Sequence, residues 1–397
     1  MTSDRARLGD RSLFPSLEAR AYLNHAAVAP PSVPVRAAVE AYLDDHARLG
    51  SGGVGRWFAQ QTILRQRLAE VIGARAEDIG LVPNTTQGVI DVALCLPWER
   101  GDRVIVFEGE FPANVTPWQQ AAELYGLELV FQSLEPFARS HDEGMAAFER
   151  ALETPARLVA VSEVQFQSGL RMPVDRMARA CHERGAELFV DAIQACGAVP
   201  MDVRASGVDY LACGGHKWMM GLMGAGFMYV RPERIGALRP VVAGWASHEN
   251  ALDFLARGPG LLRYDRPIRK GAAFVEGGTP SVVGYAALGA AVDLIQQIGV
   301  EAIHAHVNRY LDALEPGLVD RGFQSLRSTD PAARSAILGV LPPPGTDVVR
   351  LAGELTQRGV SCAIPDGVLR FAPHWPNDPD EVPEVLRALD GALTPAS

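Results

Sequence analysis

Short apolar runs alternate with helix-like stretches along most of the chain, a pattern that predicts an α/β fold with a parallel sheet covered by helices. Runs that predict buried strands occur at 78–82, 103–107, 127–131, 157–162, 188–190 and 210–212. Apolar residues at helical spacing and helix-start signals predict helices at about 33–48, 58–72, 85–96, 140–153 and 173–184.

Two of the predicted strands end close to reactive side chains. The run 188–190 leads directly into Asp191, and the run 210–212 leads to Lys217. Ligands of open α/β sheets bind beyond the carboxyl ends of the strands, so both side chains are expected at one crevice. Five glycines between 214 and 226 allow close backbone approach. A desolvated lysine is a nucleophile, which indicates carbonyl or Schiff-base chemistry; a surface salt bridge beside a glycine-rich turn is the alternative.

The later part of the chain predicts a second unit. Residues 245–275 have no clear period, and a helix then runs to about Gln297. A smaller α/β domain is predicted from a helix at 300–322, a strand at 335–340, a helix at 347–358 and a final strand. The predicted divisions are an N-terminal arm (1–20), a large domain (21–245), a crossing segment with an interface helix (246–299) and a small domain (300–397).

Composition narrows the class of protein mainly by exclusion. The 397 residues suffice for two domains, and 48% hydrophobic with 21% charged residues is ordinary for a globular protein. A net charge of −10 without a Lys/Arg-rich run argues against nucleic acid. No apolar stretch approaches the ~20 residues of a membrane span, and the N-terminus lacks the apolar centre of a signal peptide. Five cysteines without C-x-x-C spacing indicate neither a disulfide framework nor a metal site. A cytoplasmic enzyme is predicted.

Several motifs together carry a family resemblance. The pattern Asp191-x-x-Gln194, followed by Gly215-His216-Lys217, resembles the class V aminotransferase family of pyridoxal phosphate (PLP) enzymes. That family includes cysteine desulfurases, selenocysteine lyases and isopenicillin-N-epimerase-like proteins, and the resemblance extends from Tyr22 to about Leu389. It implies PLP as cofactor, a homodimer, and PLP fold type I. In that fold a large domain has a mostly parallel seven-stranded sheet between helices, and a smaller C-terminal α/β domain follows.

The resemblance also implies roles around the cofactor. Lys217 is expected to bind PLP covalently and to move protons at the substrate Cα, while Asp191 keeps the pyridine nitrogen protonated. Gln194 is expected at the phenolic oxygen, and Phe111 on the face of the ring. Phosphate contacts are expected from the hydroxyls and helix N-terminus of Thr85 and Thr86, from His216, and across a dimer interface from Thr279. Some relatives place a serine where Gly214 stands.

Arg370 is the expected ligand of the substrate carboxylate, because a guanidinium grips a carboxylate through two hydrogen bonds; an ion pair at a domain seam is the alternative. Asn24 and Arg56 are further substrate-binding candidates. Arg56 lies in a glycine-rich stretch at 51–57 that is either a closing loop or a linker.

Three more polar residues have two interpretations each. His25 is a candidate acid or base at the cofactor edge, although a histidine satisfied by backbone groups in a turn is the favoured interpretation. Gln165, with Glu163 as the alternative, is expected near the phenolic oxygen or the substrate, unless it is a solvated loop residue.

Two further positions bear on the reaction, and the first is a departure from the family pattern. Desulfurases place histidine where Phe111 stands, and phenylalanine transfers no proton. Cys362 lies on the side where some desulfurases carry a persulfide-accepting cysteine, but a spectator thiol is the commoner case. The prediction is a carbon–sulfur lyase acting on cysteine or an S-substituted cysteine. The alternative is an aminotransferase or isopenicillin-N-epimerase-like enzyme acting on a specialised amino acid.

Two interpretations from other classes are disfavoured. A non-catalytic protein of this fold would be expected to lose one of Lys217, Asp191 and Arg370, and all three are present. A dinucleotide-binding dehydrogenase needs G-x-G-x-x-G at the start of a helix, whereas the glycines at 221, 224 and 226 precede a strand.

Overall fold

The structure is a computed structural model that describes residues 5–394. The strands are, in chain order, β1 (Ala21–Tyr22), β2 (Ile79–Val82), β3 (Arg103–Phe107), β4 (Glu128–Gln132), β5 (Leu158–Ser162), β6 (Glu187–Asp191), β7 (Tyr210–Gly214), β8 (Gly226–Val230), β9 (Gln324–Ser325), β10 (Leu338–Leu341), β11 (Val360–Ser361) and β12 (Leu369–Phe371). The α-helices are α1 (Val33–Leu49), α2 (Val54–Ile72), α3 (Thr85–Cys95), α4 (Thr116–Tyr125), α5 (Glu135–Arg139), α6 (His141–Ala151), α7 (Val174–Glu183), α8 (Val203–Ser206), α9 (Pro232–Ile235), α10 (Asp253–Ala256), α11 (Val282–Ile298), α12 (Val300–Val319), α13 (Val348–Gln357) and α14 (Val382–Leu393).

A seven-stranded sheet forms the centre of the large domain, in the order β2-β8-β7-β6-β5-β3-β4. Its strands are parallel except β8, which runs antiparallel to both β2 and β7. Helix-containing connections join the parallel strands, as parallel pairing requires. The prediction of a mostly parallel seven-stranded sheet is confirmed.

Helices cover both faces of this sheet, so most residues of its inner strands are apolar; Ser162, Glu187 and Asp191 are polar exceptions at strand ends. Alternate residues point to opposite sides: Ile105 and Val159 belong to one core cluster, and Val104 and Leu158 to the other. β5, β6, β7 and β8 are buried throughout. Their carboxyl-terminal residues are therefore held in fixed positions, which suits them to carry site residues.

A smaller antiparallel sheet, in the order β12-β10-β9, lies in the C-terminal part with α12, α13 and α14. β10 begins three residues later than predicted, because the hydroxyl of Ser335 donates to the carbonyl of Gly169 and accepts from the N–H of Ile337 in a local turn. β1 pairs in parallel with β11, which bonds residues 21–22 to the C-terminal part. The domain limits themselves stay predictions.

Helix α11 is one of the most apolar in the chain. Within residues 5–394, no single helix is long and apolar enough to span a membrane. The helices α11 and α12 reach that length and apolar composition only when taken together, and they are bent by 78° where they meet. The inward faces of both helices, including Leu288, Ile295 and Leu311, are buried in the core.

Candidate active site

A cavity of about 420 Å³ lies at the carboxyl ends of β6 and β7. The predicted residues that line it are Thr85, Thr86, Phe111, Asp191, Gln194, His216, Lys217 and Arg370. The remaining lining residues are Ala26, Ala27, Asn84, Ala113, Phe166, Ile193 and Pro365. Residues separated by almost 300 positions therefore meet at the edge of the sheet where the strand pattern placed the crevice.

Lys217 lies three residues beyond β7, in a turn held by the hydrogen bond from the N–H of Gly215 to the carbonyl of Ala225. Its Nζ atom is 5.5 Å from the centroid of the Phe111 ring. Burial lowers the pKa of Lys217; Asp191 opposes this shift, and the positive charge of Arg370 adds to it. The amine therefore loses its proton more readily than an exposed lysine, as a carbonyl nucleophile requires.

Asp191 is the last residue of β6 and is 2% exposed. One carboxylate oxygen accepts a hydrogen bond from the N–H of Ile193 at 2.9 Å. Burial raises the pKa of Asp191, and the negative charge of Glu110 raises it further, against the lowering effects of Ile193 and Lys217. A carboxylate with this proton affinity is a strong partner for a protonated ring nitrogen.

The N-terminus of α3 forms the anion-binding end of the cavity. Asn84 caps the helix by accepting from the N–H of Gln87, so the first-turn N–H groups of Thr85 and Thr86 remain for an external acceptor. The Thr85 hydroxyl accepts from the N–H of Gly214 at 2.8 Å. Gly88 makes this approach possible, since a Cβ at this position would lie 2.7 Å from the Cβ of Ala212.

His216 lies beside the anion-binding end of the cavity. Burial and the neighbouring Lys217 lower the pKa of His216, so its ring is neutral at neutral pH. A Cβ at Gly214 would lie 3.2 Å from both the His216 ring and the Thr85 hydroxyl. The absence of a side chain at Gly214 therefore leaves both groups room to face a phosphate.

Arg370 is a buried cation without an acidic partner in the described part of the chain. It is 5% exposed, and its guanidinium donates to the carbonyl oxygen of Phe166 at 2.7 Å. Its Nε has no hydrogen-bond partner, and burial lowers the pKa of Arg370 to about 10. The ion pair considered as the alternative is not formed within residues 5–394. Because a buried charge is costly unless paired, the site is built for an anion.

Gln194 lines the cavity with a fixed amide orientation. Its Oε1 accepts from the indole N–H of Trp218 at 2.8 Å, and its Nε2 donates to the carbonyl of Ala26 at 3.1 Å. An indole N–H is only a donor, so the amide cannot be reversed. The second hydrogen on Nε2 remains available for an acceptor in the cavity, consistent with the predicted contact to the phenolic oxygen.

Glu110, next to Phe111, was given no role by the sequence. It is 7% exposed and accepts from the N–H of Ser162 at 2.6 Å, from its hydroxyl, from Gln165 at 3.1 Å and from Asn114 at 3.3 Å. This network joins the turn after β3 to the end of β5. Its sequence signal is weak, because burial of a single glutamate cannot be inferred from one sequence.

Gln165 itself is buried beside the cavity and is not one of its lining residues. Its Nε2 donates to Glu110 and to the carbonyl of Ser162, which leaves Oε1 without a partner. As oriented, Gln165 offers an acceptor and not a donor. Glu163, its alternative, pairs with Arg171 and lines a different cavity.

Four other predicted residues lie outside the cavity. His25 faces a separate space of about 20 Å³; its Nδ1 is 3.1 Å from the carbonyl of Ala372, its Nε2 has no partner, and burial lowers its pKa. Asn24 forms a β-bridge with Ala372. Arg56 and Thr279 are exposed, and Arg56 pairs with Asp45.

The residues present fit PLP. The cavity combines an amine, a buried carboxylate, a helix N-terminus and a ring face, with Phe111 45% exposed and therefore open to stacking. Gly214 leaves room between Thr85 and His216 where a side chain would fill the space. No group of three or more ligating side chains suited to a metal ion occurs in the described residues.

The chain matches the family model described as aminotransferase class-V over residues 21–362. It belongs to the class V aminotransferase family. Members of this family use PLP, so the chain is a PLP-dependent enzyme, and the predicted family, cofactor and fold type I are confirmed.

Similar proteins carry different functional names. The uncharacterized aminotransferase YcbU of Bacillus subtilis (strain 168) is 26% identical over 377 residues, with 94% of each chain covered. A cysteine desulfurase of Dickeya dadantii (strain 3937) is 32% identical over 295 residues, 72% of this chain and 68% of the relative. A solved structure of C-DES, with glycine covalently linked to the PLP cofactor, superposes with a TM-score of 0.87 at 23% identity and covers 96% of this chain and 99% of the other. The names of these similar proteins therefore do not agree on one reaction.

Proposed function

We propose that this class V enzyme is a carbon–sulfur β-lyase acting on S-substituted cysteine. The observation that carries the proposal is the unpaired, buried guanidinium of Arg370 in the same cavity as the Lys217 amine. A carboxylate at Arg370 and an amino group near Lys217 define an α-amino acid as the substrate. The apolar lining beyond them suits a substituent on Cβ.

The charges of the cavity disfavour an aminotransferase that uses a dicarboxylic amino acceptor. Such an acceptor needs a second cation for its distal carboxylate. Among the lining residues the cations are Lys217 and Arg370, and burial keeps His216 neutral. Lys217 is needed for the cofactor and Arg370 for the α-carboxylate, so a second carboxylate has no partner.

Epimerisation at Cα requires proton transfer on both faces of the carbon. Lys217 serves one face. No lining residue is left for a second base: Asp191 and His216 are assigned to the cofactor, Phe111 and Phe166 have no titratable group, and His25 faces a separate space. The cavity therefore favours reactions in which one base removes the Cα proton and a bond at Cβ breaks.

The thiol chemistry disfavours a persulfide-forming desulfurase. Cys362 does not line the cavity, and burial raises the pKa of its thiol to about 12. A thiol in this state is a weak nucleophile at neutral pH, because the thiolate is the reactive form. Phe111 cannot supply the proton that a histidine at its position would transfer. Sulfur is therefore expected to leave as a thiol.

The family resemblance assigns the following roles, and the positions of these residues in the cavity support them. When bound, PLP stabilises negative charge at the substrate Cα by electron withdrawal into its protonated ring. Lys217 holds the cofactor, accepts the Cα proton as a base and carries it towards the leaving sulfur. Asp191 holds the proton on the ring nitrogen, while Thr85, Thr86 and His216 hold the phosphate. Arg370 orients the carboxylate, and Phe111 stacks on the ring.

Incubation of the purified holoenzyme with S-methyl-L-cysteine tests this function. The balanced reaction consumes water and yields methanethiol, pyruvate and ammonia in equal amounts. Lys217→Ala should abolish product formation and the visible absorbance of covalently bound PLP. Alanine with persulfide from L-cysteine, turnover that needs a keto acid, or conversion to the D-amino acid would each contradict the lyase and identify the competing reaction.

We also propose a homodimer in which Thr279 contacts the phosphate bound by the partner subunit. Thr279 is exposed and lies outside the cavity of its own chain. The preceding segment exposes large apolar side chains that a partner would cover: Trp245, Leu255, Leu262 and Tyr264. Light scattering tests the dimer. If Thr279 acts across the interface, mixing Thr279→Ala with Lys217→Ala subunits should restore one intact site per heterodimer. The cytoplasmic location stays a prediction.

A further inference from the structure

Phe166 contacts two residues of the cavity, Phe111 through its ring and Arg370 through its carbonyl oxygen. Its ring centroid lies 5.3 Å from that of Phe111, with the ring planes at 83°, an edge-to-face pair. Its carbonyl oxygen accepts the hydrogen bond from Arg370 at 2.7 Å. An amino acid with its carboxylate at Arg370 and its Cα near Lys217 therefore places its side chain beside the Phe166 ring.

Much of the cavity lining is apolar: besides Phe166 it includes Ala26, Ala27, Ile193 and Pro365. The ionisable lining residues are Asp191, His216, Lys217 and Arg370, all of which are assigned to the cofactor or the α-carboxylate. No cation remains in the lining for a charged group at the far end of a substrate. Burial of such a group without a partner is strongly unfavourable.

Two segments of the lining, those of Phe166 and Pro365, are linked by a hydrogen bond. The side-chain amide of Gln167 donates to a carboxylate oxygen of Asp366 at 3.4 Å, which joins the residue after Phe166 to the residue after Pro365. Asp366 adopts a left-handed conformation with φ 50°. Because the Asp366 carboxylate is next in sequence to a lining residue, it adds repulsion against an anionic substituent.

We propose that Phe166 is a specificity-determining residue that selects amino acids with a neutral, apolar substituent on Cβ and favours aromatic ones. The substituent packs against the Phe166 ring while Phe111 stays on the cofactor. This inference deepens the proposed lyase function by naming its substrate class, S-aryl and S-alkyl cysteines. The selectivity in binding does not depend on which bond then breaks.

Two pairs of compounds separate binding from reaction. S-phenyl-L-cysteine and S-carboxymethyl-L-cysteine both carry a sulfur leaving group. L-homophenylalanine and L-2-aminoadipate replace that sulfur with CH₂, so they bind without elimination. Dissociation constants for the second pair are measured on the holoenzyme from changes in its visible absorbance. Homophenylalanine should bind at least about tenfold more tightly than aminoadipate, from apolar burial and ring contact.

Substitutions at Phe166 then test the residue itself. Phe166→Ala should weaken homophenylalanine binding by about tenfold, because the ring contact and its buried area are lost. Binding of L-alanine should change little. Phe166→Leu keeps an apolar wall and should lose only the aromatic preference. Phe131→Ala is the matched control, since Phe131 is exposed on the outermost strand β4. If Phe166→Ala does not fold, the test is the binding of homophenylalanine to Phe166→Leu.

The outcomes separate this inference from the proposed reaction. Tight, Phe166-dependent binding of homophenylalanine with no thiol from S-phenylcysteine would uphold the substrate class and reject the lyase. Thiol release from both cysteine conjugates at equal kcat/KM, with equal binding of the two isosteres, would overturn the substrate class and leave the lyase. Unchanged selectivity in both Phe166 variants would overturn the role of Phe166.

Discussion

The indole N–H of Trp218 donates a hydrogen bond to the side-chain oxygen of Gln194 at 2.8 Å. Trp218 follows Lys217, and Gln194 lies three residues after Asp191, so this bond ties together the turns that follow β6 and β7. Gln194 also donates to the carbonyl of Ala26, which extends the connection to the N-terminal tract. Lys217 and Asp191, the proposed attachment point and the proposed partner of the ring nitrogen, are thus connected through this hydrogen bond.

Substitution of Trp218 by Phe should change the environment of bound PLP, although Trp218 itself does not line the cavity. Without the indole donor, the Gln194 amide can rotate. Its N–H group is then no longer held towards the expected position of the PLP phenolic oxygen. We expect a shift in the visible absorbance of bound PLP and a loss of about 1 kcal/mol of stability, the usual net value of a hydrogen bond.

Trp98→Phe provides the comparison for Trp218→Phe. Trp98 is also buried and donates its indole N–H to the carbonyl of Ala93 at 2.7 Å, away from the cavity. Its loss should cost similar stability and leave the absorbance spectrum unchanged. Identical spectra for wild type and Trp218→Phe would mean that Gln194 does not contact the cofactor.

The fold and most of the cavity were predictable because their signals are local or repeat along the sequence. Buried strands appear in the sequence as continuous apolar runs, and the structure places β3 at Arg103–Phe107, the same bounds that the sequence predicted. Asp191 and Lys217 could be placed together because parallel strands end at one edge. Arg370 comes from β12 in the second sheet, and only the family resemblance indicated that it reaches this cavity.

Residues defined by long-range contacts were missed. Glu110 is important because four donors from three residues surround it, and Phe166 because its ring and carbonyl face two different site residues. For His25, a histidine satisfied by backbone groups in a turn was the favoured interpretation, and its Nδ1 does lie 3.1 Å from a backbone carbonyl, but that carbonyl belongs to Ala372, far away in sequence. Side-chain direction depends on packing that one sequence does not encode locally.

Asp191→Asn should separate cofactor attachment from catalysis. The amide has almost the same shape as the carboxylate, so Lys217 still binds PLP, but the ring nitrogen loses the charge that keeps it protonated. We expect kcat to fall by roughly 10²–10³-fold, comparable with removal of one preorganised electrostatic partner. Absorbance monitors attachment, and steady-state kinetics monitor the rate. A variant with full activity would exclude Asp191 as the ring-nitrogen partner.

Replacement of Cys362 by Ser should leave the lyase rate unchanged. The raised pKa of Cys362 keeps its sulfur protonated, and the side chain does not reach the cavity. Cys181→Ser is the matched control, since burial also raises the pKa of that thiol. Product formation from S-methyl-L-cysteine measures the effect. Complete loss of activity in Cys362→Ser but not in Cys181→Ser would show that the Cys362 thiol takes part in the reaction.

Arg370→Met should weaken substrate binding without lowering the stability of the protein. Methionine fills similar volume without a buried charge, so the melting temperature of the ligand-free protein should stay equal or rise. Binding of amino acids should weaken by about 2–5 kcal/mol, the cost of removing one partner of a buried charge pair. Arg157→Met is the control, because Arg157 already pairs with Glu187 at 2.6 Å and its loss should lower the melting temperature.

The carboxyl group of Asp91 in helix α3 should make the protein less stable as pH rises, the opposite of the effect of a carboxylate that is ion-paired in the folded state. Burial raises the pKa of Asp91 from 3.8 to about 6, although the side chain of Gln87 donates to it at 2.7 Å. Because the folded state binds this proton more tightly than the unfolded state, the Asp91 contribution to stability falls as pH rises from about 4 to about 6.

Asp91→Asn removes this titration and keeps a partner for Gln87. Relative to wild type, the variant should gain up to about 3 kcal/mol at pH 8, since each unit of pKa shift corresponds to about 1.4 kcal/mol. At pH 4 the gain should be small. Chemical unfolding at both pH values measures the difference, with Glu99→Gln at an exposed position as the control. An equal effect at pH 4 and pH 8 would show that Asp91 titrates normally in the folded protein.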